Sequence, residues 1–125
     1  MAKSAAAKER EFITRMEKSL SEQKQEIVAK LVASSEEFKE IVEDMDPKDL
    51  ADVASDDIDR KMIEAIGSQE LRRLRSIDSA LTRIQQGKYG LCIKCGTKIP
   101  HERLEAIPYA LMCVDCKSAE EKRNR

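Results

Sequence analysis

Four cysteines carry the chemistry of this chain. They fall in two C-x₂-C pairs, Cys92-Ile93-Lys94-Cys95 and Cys113-Val114-Asp115-Cys116, with 17 residues between the pairs. Zinc takes soft ligands at the four corners of a tetrahedron, and a C-x₂-C turn sets two thiolates on adjacent corners. Gly96, directly after the first pair, accepts the positive φ that eases such a turn. The second pair closes the site from a distant strand or helix start. The spacing fits the C-x₂-C-x₁₅₋₂₀-C-x₂-C zinc pattern. It predicts one closed, structural zinc with Cys92, Cys95, Cys113 and Cys116 as ligands. Two disulfides in a secreted domain, or a redox dithiol, are the competing uses of four cysteines. A redox dithiol calls for one C-x-x-C beside a βαβ pattern, which is absent here. His101, between the pairs, is read as an exposed loop residue and not as a ligand.

The elements that must hold these cysteines are helical. From Glu9 the apolar residues Ile13, Met16, Leu20, Ile27, Leu31, Phe38, Ile41, Val42 and Met45 recur at spacings of three, four and seven, the stripe of an amphipathic helix. A second stripe, Ile63, Ile66, Leu74, Ile77, Leu81 and Ile84, runs through a pattern from Val53 to Gln86, with Gly87 placed as its C-cap. Gly67 lies inside this pattern and marks either a close approach or a bend. The stripes match in reverse: Ile13 with Ile84, Met16 with Leu81, Leu20 with Ile77 and Leu31 with Ile66, each pair of numbers adding to 97. A constant sum is the mark of an antiparallel hairpin, with its turn between Asp46 and Asp52. The mixed pairs Gln23–Leu74 and Ile27–Glu70 would fix register, as polar positions do in coiled coils.

The expected fold is therefore mainly α: a long antiparallel helical hairpin (a coiled coil) on a small Cys₄ zinc-finger base with a C-terminal helix. Residues 1–8 form a frayed, disordered start. Residues 9–87 form the hairpin with its tip at 46–54, and residues 88–125 the finger and closing helix. Ile99, Pro100, Leu104, Ile107, Pro108, Tyr109 and Leu111 are placed to cover the metal and the base of the hairpin.

Composition narrows the function. Of 125 residues 38% are charged and only 3% aromatic. Such a chain cannot fill a thick core, so zinc supplies folding energy where apolar burial is short. A net charge of −1 gives no global steering toward nucleic acid. The start Met1-Ala2-Lys3-Ser4 leads into a charged stretch without an apolar h-region. No apolar run reaches membrane-spanning length. A cytoplasmic, monomeric protein is expected, in a compartment where thiols stay reduced. With the zinc closed by four protein ligands and no acid–base constellation beside it, no enzymatic activity is expected.

Charge is concentrated at the hairpin's turn. From Glu43 to Asp59 there are eight acids and one lysine. Helix capping and dipole effects use only one or two carboxylates, so the excess points to a basic surface or a bound metal ion as the target of the tip. Arg72, Arg73 and Arg75 form the opposite feature, a basic cluster suited to a solvated face or an anion contact.

These residues together resemble the DksA/TraR family of bacterial RNA polymerase-binding regulators. The resemblance rests on Asp49-Leu50-Ala51-Asp52-Val53-Ala54, on its distance from the first cysteine, and on the finger from Lys88 to Gly96, Arg103-Leu104-Glu105-Ala106 and Cys113 to Lys117. It implies a hairpin that enters the secondary channel of RNA polymerase, with Asp49 and Asp52 as effector carboxylates and Ala54 allowing close approach. It also implies destabilised open complexes at sensitive promoters, such as those for ribosomal RNA, and joint action with ppGpp, bound at the polymerase interface, in the stringent response. Where the family carries alarmone-binding Lys and Arg, this chain has Ser76 and Ile107, while Lys117 is retained. The alternative reading is a zinc-finger nucleic-acid-binding protein, which would need a dense basic face; no sequence-specific DNA binding is expected.

Overall fold

The computed structural model describes residues 4–34, 36, 39 and 56–123. Among them lie five helices: α1 (Ala5–Ser34), α2 (Asp56–Ile66), α3 (Ser68–Gln85), α4 (His101–Ala106) and α5 (Val114–Arg123). The described residues hold no strand, and an isolated antiparallel bridge joins Leu91 to Lys98. The mainly helical class stands as expected. Helix α1 starts at Ala5, ahead of the expected Glu9. The reason is local: the Ser4 hydroxyl accepts a hydrogen bond from the Ala7 N–H at 3.1 Å, an N-cap, and three alanines with high helix propensity follow it.

The chain forms two compact units, Met1–Leu20 with Ser79–Arg125, and Ser21–Asp78. In the second unit α1 and α3 run antiparallel. Lys24 pairs with Asp78, and further along α1 Lys30 Nζ lies 3.5 Å from Glu70 Oε2. Arg73 donates to Gln23 Oε1 at 3.0 Å and to Glu70 Oε1 at 3.2 Å. The three pairs that cross from α1 to α3, Lys24–Asp78, Lys30–Glu70 and Gln23–Arg73, stay within about five of the sum of 97 that the sequence suggests. Ile27, Leu31, Met62, Leu71, Leu74 and Ile77 form the core of this unit, each at most 3% exposed. Fully burying an aliphatic side chain of this size stabilises by about 1.5–3 kcal/mol relative to exposure. Lys24, the partner of Asp78, is buried as well.

Three sequence expectations need correction. Gly67 does not lie inside a helix; it separates α2 from α3 with φ +86°. A Cβ added there would meet nothing within 4 Å, so the glycine serves a left-handed bend and not a close approach. The bend rephases the stripe: Met62 is buried at 1% exposure while Ile63, expected in the seam, is 43% exposed. In α1, Phe12 is buried and Ile13 only half-buried, so the stripe enters one residue earlier than expected. The expected turn and tip, including Asp49, Asp52 and Ala54, lie outside the described residues.

The first unit packs Phe12, Met16 and Leu20 of α1, Ala80 of α3, and Tyr89, Cys92, Ile99 and Leu104 of the cysteine-bearing module. His101, at the start of α4, is exposed as expected, yet it is not idle. Its ring stacks on Phe12 at 3.8 Å between centroids, and its Nε2 lies 2.7 Å from Glu9 Oε2.

Candidate metal centre

The first knuckle is a short antiparallel hairpin. The Leu91–Lys98 bridge closes it, the Cys92 N–H donates to Thr97 O at 2.8 Å, and the Gly96 N–H returns to Cys92 O at 3.0 Å. Gly96 has φ +77°, a backbone state that glycine adopts without the Cβ penalty. The second knuckle is a helix start. Cys113 precedes α5, Cys116 lies in its first turn, and the Cys116 N–H points at Cys113 Sγ at 3.5 Å. A helix N-terminus with free N–H groups favours thiolate over thiol.

Several contacts tie the knuckles together. The Ile93 N–H donates to Leu111 O at 2.9 Å, and Arg103 Nε to Met112 O at 3.2 Å. The buried Tyr89 hydroxyl donates to Pro108 O at 2.8 Å. Burial holds its phenol well above the usual tyrosine range. Arg83 Nη2, near the end of α3, donates to Lys88 O and Leu91 O at 3.2 and 3.0 Å. The sequence did not mark Arg83, Thr97 or Arg103 for these roles. Their partners are backbone carbonyls five to nine residues away, or for Thr97 the Cys95 thiol two residues away, and hydropathy periodicity carries no signal for such contacts.

The structure brings all four sequence-predicted cysteines together. Their Sγ atoms lie within 4.8 Å of one another, and His101 is not in the cluster. None of the four forms a disulfide. Zinc–sulfur bonds of about 2.3 Å in a tetrahedron require sulfurs about 3.8 Å apart. Cys95 Sγ and Cys113 Sγ, one from each knuckle, are 3.8 Å apart. Donor type, number and spacing therefore fit one tetrahedral zinc.

The electrostatics make the same case. The Cys92 thiol is pulled down to about 6, first by the Cys95 backbone N–H and then by those of Cys113 and Lys94. Cys95 is also lowered, chiefly by the Thr97 hydroxyl, 2.9 Å from its sulfur. Cys116 is pushed up to about 12, first by Cys113 and then by Cys95 and Cys92. The fold thus provides donors for the first thiolates and opposes the last. A dication between the sulfurs removes that opposition.

A closed set of four thiols on two knuckles, within a mainly helical chain, defines a C4 zinc-finger protein. Residues 87–122 match the prokaryotic dksA/traR C4-type zinc finger. The RNA polymerase-binding transcription factor DksA of Caulobacter vibrioides is 39% identical over 77 residues; the match covers 62% of this chain and 54% of that protein. The chain thus spans about half the length of this curated relative. The structure of transcription factor DksA2 from Pseudomonas aeruginosa superposes with TM-score 0.63 at 27% identity, covering 98% of this chain and 93% of that one. The DnaK suppressor protein from Agrobacterium tumefaciens superposes with TM-score 0.58 at 30% identity, covering 86% and 92%. The chain belongs to the DksA/TraR family, and its cofactor is one structural zinc.

Proposed function

We propose that this chain binds RNA polymerase and regulates transcription, with its helical arms carrying an acidic tip and its finger held by zinc on Cys92, Cys95, Cys113 and Cys116. The observation that carries the reading is the likeness to transcription factor DksA2 over 98% of the chain, arms and finger together. The finger alone would suit many zinc proteins; the combination with antiparallel arms does not. When bound, zinc supplies folding energy at a module with few large apolar side chains. The chain's own residues do the rest. Helix α1 has 30 residues, so at 1.5 Å per residue it reaches about 45 Å, far enough to carry a tip into a deep channel. The segment from Glu43 to Asp59 brings eight acids and one lysine, a charge suited to basic groups or metal ions near a polymerase catalytic centre.

In this reading Asp49, Asp52 and Ala54 form the effector tip in the secondary channel. Open complexes at sensitive promoters, such as those for ribosomal RNA, are destabilised, and ppGpp acts jointly in a stringent response. The protein works in the cytoplasm of a bacterium, as a monomer and without catalytic activity. Among the described residues no helix is long and apolar enough to cross a membrane.

The test separates binding from effect. Asp49→Asn with Asp52→Asn keeps side-chain size and removes two charges. The double variant should bind polymerase within about tenfold of the parent, about 1.4 kcal/mol. It should lose most inhibition of a ribosomal RNA promoter in a purified transcription assay. Undiminished inhibition would remove the tip from the mechanism.

A further inference from the structure

The segment Asp56–Ile66 carries two apolar stripes, and the structure uses the one that a straight helix would not. In an unbroken helix at 100° per residue, Ile63 falls within about 20° of Leu74 and Ile66 within about 20° of Ile77. Leu74 and Ile77 are both fully buried. A straight helix would therefore seat Ile63 and Ile66 in the seam and turn Met62 about 120° away from Leu74. The structure has the reverse: Met62 is 1% exposed, Ile63 is 43% exposed and Ile66 is half-buried. The difference arises at one residue, Gly67, with φ +86°. The hydrogen bonds Gly67 N–H to Ile63 O at 2.7 Å and Leu71 N–H to Gly67 O at 3.2 Å flank the bend. Space around Gly67 is open, so packing does not demand a glycine. What glycine offers is ready passage between helical and left-handed φ.

We infer that α2 is a two-phase element and that Gly67 is its swivel: α2 packs Met62 when the chain bends at Gly67, and packs Ile63 with Ile66 when the helix runs through. The two phases differ by a rotation of α2 of about 100°, the angle between adjacent residues. Both phases offer the seam large apolar side chains, which is what a bistable packing requires. The purpose of the device rests on the polymerase reading: a rotation of α2 would re-aim the acidic segment joined to it.

The test needs no polymerase, so it stands or falls apart from that reading. The probe is a soluble gadolinium chelate, added to the zinc-loaded full chain with labelled Met and Ile methyl groups. In the parent, the Ile63 δ1 methyl should lose signal several-fold faster than the Met62 ε methyl. Gly67→Ala penalises positive φ and should invert that order. Gly67→Asn tolerates positive φ and should keep the parent order. Met62→Gln should bring the Ile63 methyl into protection with helicity retained. The inference is overturned if Gly67→Ala keeps the parent order. It is also overturned if Gly67→Ala or Met62→Gln melts α2, leaving both the 62 and 63 positions exposed with helicity lost.

Discussion

Replacing Lys24 with methionine should cost this protein more stability than any surface ion pair could supply. The Lys24 and Asp78 side chains are 9% and 13% exposed, so water and salt screen the pair little. Removing one partner of a buried pair leaves an uncompensated charge and typically costs about 3–5 kcal/mol. Asp78 keeps some exposure and a further interaction, which places the loss at the low end, about 3 kcal/mol. For a chain of 125 residues that corresponds to a drop in Tm of about 12 °C. Lys24→Met combined with Asp78→Leu removes both charges and should return stability to within about 1 kcal/mol of the parent, or above it. Urea unfolding of the zinc-loaded single and double variants, followed by far-UV circular dichroism, reads both values and their coupling. A single variant that loses under about 1 kcal/mol, or a double variant no more stable than the single, would refute the claim that burial makes this pair matter.

Cys113→Ser should release zinc and unfold the cysteine-bearing module, since metal affinity at such a site is folding energy; elemental analysis showing one zinc per variant chain would contradict the four-thiolate site. Tyr89→Phe removes the hydrogen bond to Pro108 O and should cost about 1 kcal/mol. Burial raises the Tyr89 phenol above its unfolded value of 10.0, so its contribution is present below that pH and lost as pH rises past it. Unfolding midpoints should therefore fall on the alkaline side in the parent and less so in the phenylalanine variant; a Tyr89 phenol that ionises near its unfolded value with structure intact would sink this.

The metal site was legible in the sequence because ligand type and spacing are nearly sufficient there. Two C-x₂-C pairs 17 residues apart leave few alternatives, and the four sulfurs do meet. The antiparallel arms were legible because helical periodicity survives small errors of phase. What sequence could not give was phase itself. A continuous helix through Gly67 predicts Ile63 and Ile66 in the seam, and only the sign of one φ decides for Met62. Nor does a hydropathy pattern place Lys24 in a core, because its burial depends on Asp78, 54 residues away. The same holds for His101. Its exposure was foreseeable, but its stacking on Phe12 and its pairing with Glu9 depend on contacts across most of the chain.

The most direct measurement compares two partners of the zinc-loaded full chain at about 0.15 M salt, where long-range screening is strong: core RNA polymerase and a duplex DNA of random sequence. The account predicts saturable, one-to-one binding to polymerase that survives addition of excess duplex, and no measurable binding to the duplex alone. Binding to duplex with a steep salt dependence, together with no retention on polymerase, would contradict the central claim and favour a nucleic-acid-binding finger instead.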